Sequence, residues 1–240
     1  MIEAMVIGGT GVGHLLAELP GKHAVVPTSA GAVHGKVVTL GSKQVFAVQR
    51  HSLGHQTPPH AVNYEGFTRA AQQLGVKAVL SSAAVGCLRR EWGPGTFVAC
   101  SDFYDFTYRG TTLFEHGVQH VDFTHPFAPN LRQSLVAAGR ERGIEVQPEG
   151  IYMGLNGPRY ETPKEIELFA QWKADLVGMT ASTEAILMRE AGMPYSCLAV
   201  VTNLAAGISE TELHHGEVTD VMVACGPKVL QLFTAVIEGL

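Results

Sequence analysis

The sequence predicts an α/β fold: one domain, residues 1–240, with a mixed central β-sheet flanked by helices on both faces. Three observations carry this expectation. Short apolar runs bounded by Gly, Pro or Ser alternate with stretches of helical period, the pattern of strands linked through covering helices. Two of the runs lie close enough to form a hairpin, so the sheet cannot be purely parallel. No linker, repeat or low-complexity segment interrupts the 240 residues, and α/β chains longer than the usual ~150 residues per domain often fold as one unit.

Ala4-Met5-Val6-Ile7 reads as the first strand, apolar on both faces and therefore central. Lys36–Leu40 and Gln44–Val48, joined by Gly41-Ser42-Lys43, form the hairpin. Ala78–Leu80, Thr96–Ala99 and Ser196–Val201 are further strands. Between them, Phe67, Ala70, Ala71 and Leu74 keep the i, i+3, i+4, i+7 period of a helix that stops at Gly75. Asn130 is placed to cap a helix carrying Leu131, Leu135 and Val136 that ends at Gly143. Thr162 caps another, with Pro163 at its first position. Ser182 or Thr183 opens a helix through Met188 that closes before Gly192. The last helix carries one apolar stripe, from Val218, Val221, Met222 and Cys225 to Val229, Phe233, Val236 and Ile237, with a bend expected at Gly226-Pro227.

Composition then narrows the function. The chain is 46% hydrophobic with ten Phe, six Tyr and two Trp, which builds a core and excludes disorder. Its net charge of −5 gives no basic field for nucleic acid. The start of the chain, Met1 to Ile7, lacks the basic region of a signal peptide, and no apolar run approaches the ~18 residues of a membrane span. Cys87, Cys100, Cys197 and Cys225 lie scattered in apolar settings, as reduced thiols of a cytoplasmic protein do. Only 16% of residues are charged, below the ~25% of an average domain, which points to buried faces between subunits.

The first chemical signal is Gly8-Gly9-Thr10-Gly11-Val12-Gly13, directly after the first strand. Such a turn aims amides and a Thr hydroxyl at an anion, and equally serves as a plain tight turn. A dinucleotide fingerprint fails twice. Its third glycine falls at His14, and the ribose-binding acid about 20 residues on is missing. Between Glu18 and Glu65 there is no acid at all, while Lys22, Lys36, Lys43, Arg50 and five His (His23, His34, His51, His55, His60) lie there. Arg50-His51 follows a strand end, where α/β sheets gather ligands, and offers a planar fork and a second donor to phosphate. No His pairing (His51/His55, His55/His60, His116/His120, His214/His215) has metal-site spacing with supporting carboxylates, so no metal is expected.

Two polar placements stand out besides. Gly157-Pro158-Arg159-Tyr160-Glu161-Thr162 puts an acid just before a helix cap, and Val200-Val201-Thr202-Asn203 ends the most apolar strand in an amide. Glu161 can favour a helix dipole and Asn203 can start a turn. If both face one cleft, carboxylate and amide together read the donor and acceptor edge of a heterocycle.

These motifs, in order with Pro58-Pro59-His60-Ala61-Val62-Asn63-Tyr64, Ala83-Ala84-Val85-Gly86 and Val177-Gly178-Met179-Thr180, resemble over nearly the whole chain the trimeric purine nucleoside phosphorylase and methylthioadenosine phosphorylase family. The resemblance implies reversible phosphorolysis: orthophosphate, a co-substrate, attacks C1′ of a purine nucleoside and releases the base and a ribose 1-phosphate, with no cofactor. It implies that Thr10, Arg50, His51, the Ala83-Ala84 backbone and Thr180 bind phosphate. Met179 would lie against the ribose, and Tyr160, Glu161, Asn203 and Ala205 at the nucleoside, with Glu161, Asn203 and His51 serving catalysis. His120 would reach a neighbouring subunit's site in a homotrimer. The chain departs from the methylthioadenosine branch, which usually has Asp-x-Asp where this chain has Asn203-Leu204-Ala205 and Ser where it has Glu161. Glu161 accepts from N1–H and Asn203 donates to O6, the pair that suits inosine or guanosine.

At the 5′ end, His214-His215-Gly216-Glu217-Val218 resembles a segment that binds a 5′-hydroxyl. If His215 lines the pocket, a hydroxyl is preferred; if Leu213 or Val218 does, a methylthio group fits. The expected function is therefore 6-oxopurine nucleoside phosphorolysis. The alternatives are a methylthioinosine or methylthioadenosine phosphorylase and, from another class, a non-catalytic nucleoside or phosphate sensor, which would lose phosphate donors that are all present here.

Overall fold

The structure, a computed structural model, describes residues 1–52, 54, 56–209 and 215–240, His215 in its backbone alone. The chain runs β1 (Ile2–Gly8), α1 (Val12–Glu18), β2 (Gly21–Thr28), β3 (Gly31–Leu40), β4 (Lys43–Gln49), α2 (Tyr64–Leu74), β5 (Ala78–Cys87), β6 (Phe97–Ala99) and β7 (Asp102–Phe106). It continues through α3 (Pro129–Arg142), β8 (Val146–Gln147), β9 (Ile151–Leu155), α4 (Pro163–Gln171), β10 (Leu176–Gly178), α5 (Ala181–Glu190), β11 (Tyr195–Leu204) and α6 (His215–Glu238). The strands join one mixed sheet, ordered β2-β3-β4-β1-β5-β10-β9-β7, with β11 on the other edge of β5 and β6 and β8 beyond it. The expected fold class is the one found.

The expected hairpin is β3–β4, paired antiparallel with Leu40 opposite Lys43. Its turn is Gly41-Ser42, with Gly41 at φ 59°, so Lys43 belongs to the strand. Ala4–Ile7 is fully buried between parallel neighbours β4 and β5, as its apolar run on both faces required. Helix α2 is capped by Asn63, whose side chain accepts from Gly66 N, and it closes at Gly75 in the left-handed region. Thr162 caps α4 reciprocally with Glu165.

Two helix starts differ from expectation. Helix α3 begins at Pro129, with Ala128 in the capping position, so Asn130 lies inside the first turn; the fixed φ of Pro129 outweighs a polar cap one residue later. Helix α5 starts after Thr180, leaving Ser182 and Thr183 buried within it. Helix α6 runs continuously through Pro227. Its segment Gly216–Glu238, of mean hydropathy 1.5, is long and apolar enough to cross a membrane by length and composition. Its stripe of Met222, Val229, Leu232, Phe233, Val236 and Ile237 is nevertheless buried in the core formed with β1, β5 and β11. Helices α1, α3 and α6 cover one face of the sheet, and α2 and α5 the other.

The feature that positions the site is a fork along β5. One edge of β5 pairs with β1 over Ala78–Ser81 and then with β10 at Gly86 and Cys87. The opposite edge pairs with β11 along nearly the whole strand. Between Ser81 and Gly86 the sheet is split, which opens a crevice of the kind where α/β proteins hold ligands.

Candidate active site

The crevice holds a cavity of about 350 Å³, within the size range of small-molecule sites. Thr10 enters it from the turn after β1, Arg50 and His51 from the end of β4, and Ala84 from the split of β5. Met179 and Thr180 follow β10, Tyr160 and Glu161 precede α4, and Asn203 comes from β11. Residues spread over nearly 200 positions of sequence thus meet at the strands' carboxyl ends.

Arg50 is buried and its guanidinium is fixed on three sides. Nε donates to Glu184 Oε1 at 2.5 Å, Nη2 to Glu184 Oε2 at 3.1 Å and Nη1 to the Ser82 carbonyl at 2.8 Å. Burial alone would ease its proton off, but the Glu184 carboxylate overrides burial and holds the guanidinium firmly charged. Gly9 makes this packing feasible. A Cβ there would lie 2.5 Å from Arg50 Nη1 and 2.6 Å from the Ser82 carbonyl. The glycine-rich turn thus admits a site side chain, where sequence suggested backbone approach to the ligand itself. Its Gly9 amide donates to Ser82 Oγ at 3.1 Å.

His51 closes the loop that follows. Its Nδ1 meets the Thr57 carbonyl at 2.9 Å, and its own carbonyl accepts from Thr57 N. That bond places the neutral ring's proton on Nδ1.

At the other end, Glu161 is 9% exposed, and burial raises its carboxyl above the ordinary range. Asn203 owes its direction to a β-bulge: Val201 pairs with Val85 and Asn203 with Gly86, so Thr202 is the extra residue. Thr202 Oγ1 then lies 2.9 Å from Asn203 Oδ1, and Asn203 Nδ2 donates to the Leu204 carbonyl at 3.0 Å. One Nδ2 hydrogen remains for the cavity.

The remaining expectations divide. Thr180 contributes from the capping position of α5, where its hydroxyl makes no capping bond. The amides of Thr180 and Ala181 donate to the buried Tyr152 hydroxyl at 3.1 and 3.3 Å, so that helix end is already occupied. Ala83 and Ala205 back the site from within the core, and Ala84 is the one of the Ala pair that lines the cavity. His120 is exposed in a stretch from 107 to 128 without helix or strand, away from this cavity. His214, Leu213, His55 and the His215 side chain lie outside the described residues, whereas Val218 lines the cavity and is buried. His116, like His120, is exposed.

Sequence reasoning missed Glu184. A signal existed: Ala181, Ala185 and Met188 mark the buried face of α5, and Glu184 sits on that same stripe. A carboxylate on a buried face calls for a charged partner.

Residues 3–238 match the family model described as the phosphorylase superfamily. The chain belongs to the phosphorylase superfamily. It is 38% identical over 246 aligned residues to the 6-oxopurine nucleoside phosphorylase of Pyrococcus furiosus, covering 99% of this chain and 92% of that protein. It is also 38% identical over 240 residues to the probable S-methyl-5'-thioinosine phosphorylase of Methanopyrus kandleri, covering 99% and 93%. Among solved structures, methylthioadenosine phosphorylase from Schistosoma mansoni in complex with adenine superposes with a TM-score of 0.92 at 26% identity, over 99% of this chain and 91% of that one. The superfamily assignment makes the chain an enzyme of the phosphorylase type.

Proposed function

We propose that the enzyme cleaves 6-oxopurine nucleosides, inosine and guanosine, by orthophosphate. The observation that carries the reading is that Glu161 and Asn203 share one cavity with Arg50 and Thr180. Phosphate held by Arg50, Thr10, His51 and Thr180 lies beneath C1′. Its oxygen forms the new bond to C1′ as the C1′–N9 bond breaks and the bonding pair leaves with the purine. Positive charge on the sugar in the transition state is met by the phosphate, and negative charge on the base by Asn203 Nδ2 donating to N7 or O6. With Nδ1 donating to Thr57, His51 donates to phosphate only as the imidazolium, and as the neutral ring accepts from a protonated phosphate oxygen. Glu161 takes the N1–H of a 6-oxopurine and has nothing to accept from an adenine N1. The reaction as drawn needs no metal or redox cofactor.

A second reading concerns the sugar's 5′ end. Val218 buries an apolar side chain in the cavity wall, which favours a 5′-methylthio group, and relatives under both names align along the full chain. A comparison of kcat/KM for inosine, guanosine, adenosine, methylthioinosine and methylthioadenosine tests both readings. Oxopurines well ahead of adenine nucleosides support the base assignment, and equal rates on adenosine and inosine contradict it. We take the assembly to be a homotrimer in the cytoplasm, in which the exposed His120 and Val118 meet a neighbouring subunit's cavity.

A further inference from the structure

Behind the phosphate end of the cavity stands a second layer of buried polar groups. Glu184 and Tyr195 are each 1% exposed and Ser81 is fully buried. Tyr195 donates from its hydroxyl to Glu184 Oε2 at 2.6 Å, and its oxygen is 2.7 Å from Ser81 Oγ. Glu184 in turn grips Arg50 through both carboxylate oxygens.

We propose that Glu184, locked by Tyr195, is the positioning residue that aims Arg50 at phosphate, so that phosphate affinity is set by groups the ligand does not touch. The inference rests on the phosphate role given to Arg50 above. A guanidinium has five N–H donors. Glu184 and Ser82 engage three, which leaves one on each terminal nitrogen for the oxygens of an anion in the cavity that Arg50 lines. Without the clamp a long Arg side chain samples several rotamers, and that freedom must be lost on binding. Because Glu184 also neutralises Arg50, its benefit to phosphate is geometric. A carboxylate that acted through charge alone would weaken phosphate binding, and its removal would tighten it.

The test compares wild type with Tyr195→Phe, Glu184→Gln and Glu184→Asp. Calorimetric titration with inorganic phosphate gives the affinity, and steady-state kinetics give KM for phosphate and for inosine separately. Tyr195→Phe keeps both charges and the ring, and is expected to weaken phosphate roughly fivefold, the worth of one hydrogen bond. Glu184→Gln is expected to weaken it by roughly tenfold or more, as loss of a charged bidentate pair implies, with partial recovery in Glu184→Asp. KM for inosine stays within about twofold while KM for phosphate rises, whereas a merely structural role would lower the active fraction and leave both KM values in place. Phosphate affinity that is unchanged in folded Tyr195→Phe, or tighter in Glu184→Gln, overturns the proposal, as does an equal rise in both KM values. If Glu184→Gln fails to fold, Tyr195→Phe decides. Wild type that takes up no phosphate would instead remove the reading of the site, a result separable from equal binding by wild type and variants.

Discussion

Arg50 and Glu184, 134 residues apart in sequence, form a two-point ion pair that is 1% exposed on each side chain. The pair joins the end of β4 to α5 across the split in the sheet, and so ties the phosphate role proposed for Arg50 to the stability of the fold. Removing one partner of such a pair costs about 3–5 kcal/mol, because the other charge is stranded. Arg50→Met is therefore expected to lose about that much in urea denaturation. Arg50→Met combined with Glu184→Gln, which leaves no buried charge and keeps an acceptor for Tyr195, is expected to recover most of the loss. Simple additivity of the two substitutions would contradict the account.

Asn203 is held by the Thr202 bulge with an Nδ2 hydrogen left for the cavity, where the proposed reading puts the base. Asn203→Asp replaces that donor with an acceptor facing O6. The ratio of kcat/KM for inosine over adenosine is expected to fall by about tenfold or more, the cost of an unpaired polar group. An unchanged ratio would show that Asn203 does not read the base.

Glu161 has its carboxyl raised above 4.5 by burial, which gives two linked consequences. It must be ionised to accept N1–H, so kcat/KM for inosine should fall with decreasing pH through a midpoint above 4.5, a limb absent in Glu161→Gln. For stability the sign is opposite. A raised folded pKa contributes stability fully below the unfolded value, and loses it as pH rises through the folded value. At neutral pH Glu161 is therefore a cost. Glu161→Gln is expected to raise Tm there, with the gain vanishing as pH falls below the ordinary glutamate range. A lower Tm at pH 7 would contradict the assignment.

Val218 lines the cavity with a buried apolar side chain. Val218→Ser is expected to lower kcat/KM for methylthioinosine about tenfold while changing that for inosine less than threefold. Equal losses on both would place the 5′ group elsewhere.

How much of this was legible in sequence follows from the physics of each signal. Arg50-His51 stood out because it lies in an acid-free stretch at a strand end, and Asn203 because an amide ended the most apolar run. Glu184 went unseen because its partner is distant in sequence, although the helical period placed it inward. Strand β10, Leu176–Gly178, and strand β8, Val146–Gln147, are too short for period to register. In β7 the acids Asp102 and Asp105 break an apolar pattern, as an edge strand with one solvated side permits. The split of β5 is a property of pairing, which no local pattern encodes.

The central claim is phosphorolysis, and the direct measurement is cleavage of inosine followed with and without orthophosphate. The account predicts hypoxanthine release that depends on phosphate, saturates with it and yields one ribose 1-phosphate per base. Equal rates in phosphate-free buffer, with free ribose as the product, would contradict it.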